Sequence, residues 1–135
     1  MLPALIDTDT ISAVMKQRPA ALTYANAYLA IHHRFTLSVI TRYEILRGLK
    51  AIGATAKEAA FAQFCAANVI HPVTDAVIVR AADIYADLHQ RGLLIGDADI
   101  LIAATALEHK LVLVTNNTSH FNRIADLGLQ NWLGP

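Results

Sequence analysis

Short apolar runs alternate with longer segments of helical period along this chain of 135 residues. Leu111–Val114 is the clearest run, because four consecutive apolar residues indicate a strand that is covered on both faces. Runs of the same kind predict the other strands: Ala4–Ile6, Phe35–Val39, Val69–Val73 and a last short one at Gln130–Leu133. Strands that alternate with helices are typical of an α/β domain with a mostly parallel sheet. We therefore expect a single domain, residues 1–135, whose central sheet of four to five strands is flanked by helices.

The segments between these runs have the caps and the period of helices. Thr8–Thr10 offers N-cap side chains, and Thr55 and Glu58 have the spacing of a capping box. Gly92 is expected to end the longest amphipathic helix. The predicted helices are Thr8–Gln17, Ala20–His33, one that begins at Thr41, Thr55–Ala67, one from Thr74 or Asp75 to Gly92, and Asp97–His109.

Composition and charge exclude several classes of protein. Eleven Lys and Arg balance eleven Asp and Glu, and 55% of the residues are hydrophobic, which excludes intrinsic disorder and a domain that is basic throughout. The apolar run Ile100–Leu107 is shorter than the roughly 18 residues that a membrane span needs, and Asp7 comes too early for a signal peptide. Cys65 has no partner for an internal disulfide, so we expect it to be apolar filler in a soluble, cytoplasmic domain.

Polar side chains follow two of the predicted strands directly. Asp7 ends the first strand, and Thr115, Asn116 and Asn117 come after the Leu111–Val114 strand. Ligands bind beyond the carboxyl ends of parallel strands, so these residues are expected at one site. The chain has eight Asp and three Glu, and five of these acids lie near predicted helix starts: Asp7, Asp9, Glu44, Asp97 and Asp99. Capping of helix N-termini is the alternative role for each acid taken singly.

Carboxylates that converge at a buried sheet edge repel one another and lose hydration, which raises their pKa values. A hard divalent cation with oxygen ligands removes this penalty, and Mg²⁺ suits a site with few carboxylates and several waters. Such an ion can activate water and stabilise charge on a phosphate. Asn116 and Asn117 could orient a water or a phosphate oxygen, or could simply form the turn after the strand.

Four short motifs occur in a fixed order along nearly the whole chain. They are Leu5–Thr10, Ser38–Thr41 with Glu44 and Gly48, Ile95–Ala104, and Leu113–Asn117 followed by Phe121. In this order and spacing they resemble the PIN-domain family, and more narrowly the VapC-type toxins of bacterial toxin–antitoxin pairs. Trp132 near the C-terminus fits the same resemblance.

The resemblance implies a Mg²⁺-dependent endoribonuclease, with Mn²⁺ as an alternative ion, that cleaves RNA through a metal-activated water. The family's catalytic metal ligands correspond to Asp7, Glu44 and Asp99. Many members carry a fourth acid where this chain has Asn117, which leaves open whether one or two ions bind. Further residues are expected to support the ion from beside its ligands: Asp9, Asp97 and Asn117. A homodimer and a cognate antitoxin that reaches into the active-site groove are also implied.

Contacts to the RNA phosphates are expected from two places. Thr115 and Asn116 match the polar turn that the family places beside the metal, and Arg42 and Arg47 are the basic candidates. For Arg47, contact with a carboxylate is an equal alternative. The six histidines receive no catalytic role.

Two alternatives compete with the nuclease. Asp7 and Asp9 after an apolar strand also resemble the opening motif of haloacid-dehalogenase-like phosphatases, in which Asp7 would be the nucleophile. Ile11 stands where that motif usually has Thr or Val, and the later acids are spaced differently. The other alternative is an inactive PIN-like module that binds RNA or protein, although three matching acids argue against it.

The zero net charge conceals an uneven distribution. Residues 30–57 carry five basic side chains against one acid, and residues 71–100 carry five acids against two basic side chains. If the five acids near helix starts surround a cation, the remainder of the chain has eleven basic and six acidic groups. We therefore expect selectivity for a particular RNA shape rather than general, salt-driven binding.

Overall fold

The computed structural model describes residues 1–134, which form five strands and seven helices. In chain order they are β1 (Ala4–Ile6), α1 (Thr8–Met15), α2 (Pro19–His32), β2 (Thr36–Ser38), α3 (Val39–Ala51), α4 (Thr55–Ala67), β3 (Val69–His71), α5 (Asp75–Gln90), α6 (Asp97–Glu108), β4 (Val112–Val114), α7 (Thr118–Phe121) and β5 (Leu129–Gln130). Among these residues, no helix is both long and apolar enough to cross a membrane.

Every strand pairs in parallel, which confirms the predicted α/β architecture. The strands form a three-stranded sheet in the order β1-β4-β5 and a separate pair, β2-β3. Ile6 lies opposite Val114 in the first sheet, and β1 also packs beside β2. The carboxyl ends of β1 and β4 therefore meet at one edge, where Asp7 and Thr115 follow the strands.

Strands β1 and β4 are covered on both faces, as the apolar run Leu111–Val114 predicts for β4. Leu5 and Leu113 pack into a core with α5 and α6. Ile6 and Val114, their neighbours along the strands, pack into a second core that contains Trp132. Successive side chains alternate between the two cores because side chains of a strand point to opposite faces in turn. The edge at which β1 and β4 end therefore lies between two packed layers.

The N-terminal caps of α1 and α3 differ from the sequence predictions. Helix α1 is capped by Asp7, which accepts from the Thr8 N–H at 2.8 Å, rather than by a threonine. Helix α3 begins at Val39 rather than Thr41, because the Ser38 hydroxyl accepts from the Ile40 N–H at 3.0 Å.

The capping box expected at the start of α4 is wrong. Ala54 is the N-cap of this helix and makes no side-chain cap hydrogen bond. The carboxylate of Glu58 instead lies 2.6 Å from the Lys50 ammonium at the end of α3. Glu58 thus forms a tertiary ion pair instead of the cap hydrogen bond that the local pattern predicts.

Candidate active site

Asp7 occupies the junction between β1 and α1, where its side chain is only 6% exposed. One carboxylate oxygen, Oδ1, accepts from the Thr8 N–H at 2.8 Å. The other, Oδ2, accepts from the Thr115 hydroxyl at 2.8 Å. Thr115 directly follows β4, so the two hydrogen bonds fix the carboxylate at the edge where β1 and β4 end.

The pKa of Asp7 is raised from its ordinary value of 3.8 to about 7. Burial is the largest cause, and the charge of Asp9 is the next that raises it, with a smaller contribution from Asp99. The hydrogen bonds from Thr115 and Thr8 lower the pKa without offsetting these effects. Asp7 is therefore a buried acid whose pKa is raised by burial and by neighbouring acids, which is a common property of functional carboxyl groups.

Asp99 lies in the first turn of α6 and is half-buried. Its pKa is also raised, first by burial and then by the charges of Glu44 and Asp9, while His120 acts in the opposite direction. The acids of β1–α1, α3 and α6 are thus close enough to repel one another. The structure brings together Asp7, Asp9, Glu44 and Asp99, as the sequence predicts.

Glu44 is held by the Thr8 hydroxyl of α1, which in turn contacts the Thr41 hydroxyl of α3. The Thr8 hydroxyl donates to Glu44 Oε1 at 2.7 Å and lies 3.1 Å from the Thr41 hydroxyl. Because a hydroxyl has one hydrogen, donation to Glu44 makes Thr8 the acceptor from Thr41. Neither threonine was among the predicted site residues. Thr41 lies three residues before Glu44, one helical turn away, which is the signal that could have indicated it.

The turn after β4 is tied to α1. The Asn116 N–H donates to Asp9 Oδ2 at 3.0 Å, and Asn116 Oδ1 accepts from the Asn131 side chain at 3.2 Å. The Asn117 side-chain nitrogen lies 3.0 Å from His120 Nδ1. The charge of His120 also lowers the pKa of Asp99, so His120 lies near the acidic site, although it was not among the predicted site residues.

Two predicted site residues have other positions. Thr115 is fully buried, with its hydroxyl donating to Asp7 and accepting the Asn117 N–H at 3.0 Å, so it orients Asp7. Asp97 is exposed at the start of α6, and within residues 1–134 its carboxylate makes no hydrogen bond to the acidic cluster. The contact of Thr115 with a substrate stays a prediction.

The two arginines of α3 point in different directions. Arg42 reaches the Cys65 thiol on α4, and its charge and hydrogen bond there act against the burial that raises the pKa of Cys65. Arg47 Nη2 lies 3.8 Å from Glu44 Oε2, and its guanidinium sits 5.2 Å from the centre of the Tyr43 ring. The structure thus shows the carboxylate contact for Arg47 and separates Arg42 from the acidic cluster. Cys65 itself is only partly buried.

The chemistry of the donor set fits a hard cation. Among residues 1–134, no three His, Cys, Asp or Glu side chains are arranged to hold a metal ion by themselves. Mg²⁺ commonly binds through one or two carboxylates and keeps several waters, so a smaller set is sufficient. Each Asp7 oxygen accepts one hydrogen bond and retains a second lone pair for a ligand. A cation there would also oppose the repulsion that raises the pKa of Asp7 and Asp99.

Comparison with known proteins identifies relatives along almost the full chain. The PIN domain family model matches residues 4–127. Ribonuclease VapC1 of Haemophilus influenzae strain R2866 is 30% identical over 132 residues, covering 95% of this chain and 96% of that protein. The tRNA(fMet)-specific endonuclease VapC of Salmonella typhimurium is 26% identical over 133 residues, covering 98% of this chain and 99% of that protein.

Solved structures have the same fold. The DNA-bound VapBC complex from Salmonella typhimurium contains a chain that matches with a TM-score of 0.86 and 26% identity, over 98% of this chain and 99% of that chain. VapBC2 from Rickettsia felis, bound to a promoter DNA fragment, matches with a TM-score of 0.85 and 25% identity, over 97% of this chain and 99% of that chain.

Proposed function

Because the chain belongs to the PIN-domain family, we propose that it is the endoribonuclease toxin of a type II toxin–antitoxin pair. Relatives named VapC ribonucleases match over nearly their whole length, which supports cleavage of phosphodiester bonds in RNA. The observation that carries the proposal is Asp7, a buried acid whose pKa is raised to about 7 beside Asp9 and Asp99. Such a group is suited to binding a cation rather than to stabilising the fold.

We assign one divalent ion, Mg²⁺ or Mn²⁺, to Asp7 and Asp99, with Glu44 beside it. A divalent cation lowers the pKa of a bound water and stabilises negative charge on a phosphate. A single ion agrees with the neutral Asn117, whose side chain is directed to His120 rather than presenting a further carboxylate.

The protein's own residues position the reaction. The Thr115 hydroxyl and the Thr8 N–H hold the Asp7 carboxylate, and the Thr8 hydroxyl holds Glu44. Arg47 adds a positive charge at the second oxygen of Glu44, where it is exposed enough to meet a phosphate as well. We assign Glu44 to accept the proton of the attacking water, because its carboxylate is oriented by two helices without being fully buried.

The proposed partners follow from the relatives. VapBC complexes among the structural neighbours support a cognate antitoxin for this chain. A homodimer, an RNA substrate and a cytoplasmic location belong to the same proposal. Membership of the PIN family removes the haloacid-dehalogenase alternative, whereas an inactive PIN-like binding module is distinguished by experiment.

The test of the proposed function is cleavage of total RNA by the purified chain, free of antitoxin. We expect new RNA ends at defined positions with Mg²⁺ or Mn²⁺, and no new ends when EDTA replaces the cation. Sequencing of the ends identifies the substrate and the cut site together. RNA that stays intact at every cation concentration would support the inactive binding module instead.

A further inference from the structure

A second cavity borders the acidic site. It has a volume of about 520 Å³ and is open to solvent on the side of α1 and α2. Its lining includes Asp9, which belongs to the acidic cluster, together with Asn116 and the two basic residues Lys16 and Arg18. We call this cavity the Lys16–Arg18 pocket.

The pocket is joined to Asp7 through Asp9. The Asp9 carboxylate accepts from the Asn116 N–H at 3.0 Å and from the Thr10 hydroxyl at 3.1 Å, and its charge raises the pKa of Asp7. A molecule that lies in the pocket is therefore next to the cluster that we assign to catalysis. Asp9 is the shared boundary between the two places.

The turn between α1 and α2 holds the two basic residues on a fixed backbone. The Gln17 N–H donates to the Val14 carbonyl and the Arg18 N–H donates to the Ala13 carbonyl, both at 3.0 Å. Gln17 has a φ of 57°, in the left-handed region. These features define a Schellman motif with glutamine where glycine is usual. Lys16 and Arg18 thus flank a residue whose strained backbone conformation is fixed by two hydrogen bonds.

The positive charge of the pocket is unpaired. Within the described part of the chain, neither Lys16 nor Arg18 forms a salt bridge. Four other basic side chains do have acidic partners: Arg47, Lys50, Arg80 and Arg91. Asp9 is the one acid among the residues that line the pocket, and both of its oxygens already accept hydrogen bonds. The pocket therefore favours an anionic ligand.

We propose that the Lys16–Arg18 pocket receives the phosphate and sugar of the nucleotide next to the scissile bond. This inference rests on the proposed function, because it places the scissile phosphate at Asp7 and Asp99. The neighbouring phosphate of the same strand then meets Lys16 and Arg18, and the apolar side chains of Pro19 and Leu133 line the space beside it. Two localised charges beside a cavity favour an RNA whose backbone passes through that cavity. They contribute less to general binding, which depends on net charge.

The test measures RNA affinity and cleavage separately in Lys16→Gln, Arg18→Gln and the double variant. Affinity is measured with a fluorescently labelled single-stranded RNA of mixed sequence, and cleavage is measured with an oligonucleotide that contains the cut site mapped in total RNA. We expect the double variant to raise the Kd and the KM roughly tenfold, with kcat within about twofold of the wild type. The slope of log affinity against log salt should fall by about one for each phosphate contact removed.

Lys57→Gln is the matched control, because Lys57 is an exposed basic residue on α4 and the substitution removes the same charge. It should leave Kd, KM and the salt slope unchanged. Gln17 is kept in all variants so that the Schellman turn is preserved, and thermal unfolding checks that each variant is folded.

Three results would overturn the proposal. The first is a double variant with wild-type RNA affinity and salt slope. The second is a loss of affinity as large in Lys57→Gln as in the double variant, since that would be a general charge effect. The third is unchanged RNA affinity with weakened binding of the cognate antitoxin, which would assign the pocket to that protein. Because affinity is measured without cleavage, a chain that binds the RNA through Lys16 and Arg18 but never cuts it would contradict only the proposed function.

Discussion

Asp7 and Asp87 are the same residue type in opposite electrostatic settings. Asp87 lies on the exposed surface of α5, where Arg91 Nη2 approaches its Oδ2 to 2.6 Å and lowers the pKa of the carboxyl group. Asp7 is buried, no basic side chain in residues 1–134 forms a salt bridge with it, and its pKa is raised to about 7. The difference shows that the surroundings of an acid, rather than the number of acids, determine the direction of its pKa shift.

The same contrast separates the acidic site from the acidic stretch of residues 71–100. Most of that stretch is the surface of α5, where Asp87 and Arg91 pair with each other and Arg80 lies 2.9 Å from Glu108. The charges of Asp87 and Arg91 are thus solvent-exposed and neutralise each other. Asp99 is the member of the stretch that joins the repelling cluster.

The largest expected effect is on catalysis. Asp7→Asn and Asp99→Asn should each lower RNA cleavage by more than about 10²-fold, because each removes a negative charge that binds the cation beside the reacting phosphate. Initial rates on the mapped oligonucleotide measure this. Asp87→Asn is the matched control and should cleave at the wild-type rate. Equal losses of RNA cleavage in Asp87→Asn and Asp7→Asn would contradict the distinction between the α5 surface and the acidic site.

The second effect is on stability as a function of pH without divalent cations. A carboxyl group whose folded-state pKa is raised contributes stability that is full below the unfolded pKa near 3.8 and is lost as pH rises through about 7. The wild type should therefore lose stability between about pH 4 and pH 8. Asp7→Asn should flatten this dependence and be about 2–4 kcal/mol more stable than the wild type at pH 8. Urea unfolding at several pH values in EDTA measures the difference.

Addition of Mn²⁺ to the wild type at pH 8 should recover stability, because binding to the folded state alone shifts the unfolding equilibrium. Asp7→Asn should show little recovery. A pH dependence that is the same in Asp7→Asn and the wild type would contradict the assignment of a raised pKa to Asp7.

A smaller effect is expected at the hydroxyl that orients Glu44. Thr8→Val keeps the shape of the side chain and removes the 2.7 Å hydrogen bond to Glu44. Residues that orient metal-site carboxylates typically contribute about 10- to 100-fold to affinity or activity, so kcat should fall in this range. Thr23→Val, which removes an exposed hydroxyl on α2, should have no effect on kcat.

The smallest effect is expected on the α5 surface. Arg80→Gln breaks the exposed pair with Glu108 and should change the free energy of unfolding by less than about 1 kcal/mol, with no change in cleavage. Chemical denaturation measures the first quantity and the oligonucleotide assay measures the second. A loss of cleavage in this variant would show that the α5 surface affects the acidic site, which would contradict the separation of the two regions.

Much of the fold could be predicted from local patterns. Leu111–Val114 indicated a strand covered on both faces, and the structure shows this alternation at Leu113 and Val114. The start of α3 could not be predicted in the same way, because Val39 and Ile40 have the β-branched side chains of a strand. Their helical conformation depends on the cap from Ser38.

The acids of the site could be predicted, but their supporting contacts could not. Asp7 follows a strand and Asp99 begins a helix, so both positions are visible in the sequence. The contact of Arg42 is not, because the Cys65 thiol that it meets lies on another helix, α4, and the packing of α3 against α4 is not encoded in a local pattern. The Lys16–Arg18 pocket depends on a tertiary approach of the α1–α2 turn to Asn116, which local patterns do not encode.

The central claim is that the buried acids at the edge of β1 and β4 bind a divalent cation. Titration of the protein with Mn²⁺, followed by electron paramagnetic resonance at pH 7.5, tests it directly. We predict one bound ion in the wild type and in Asp87→Asn, and at least tenfold weaker binding in Asp7→Asn and Asp99→Asn. Wild-type affinity in Asp7→Asn, or no Mn²⁺ binding by the wild type, would contradict the account.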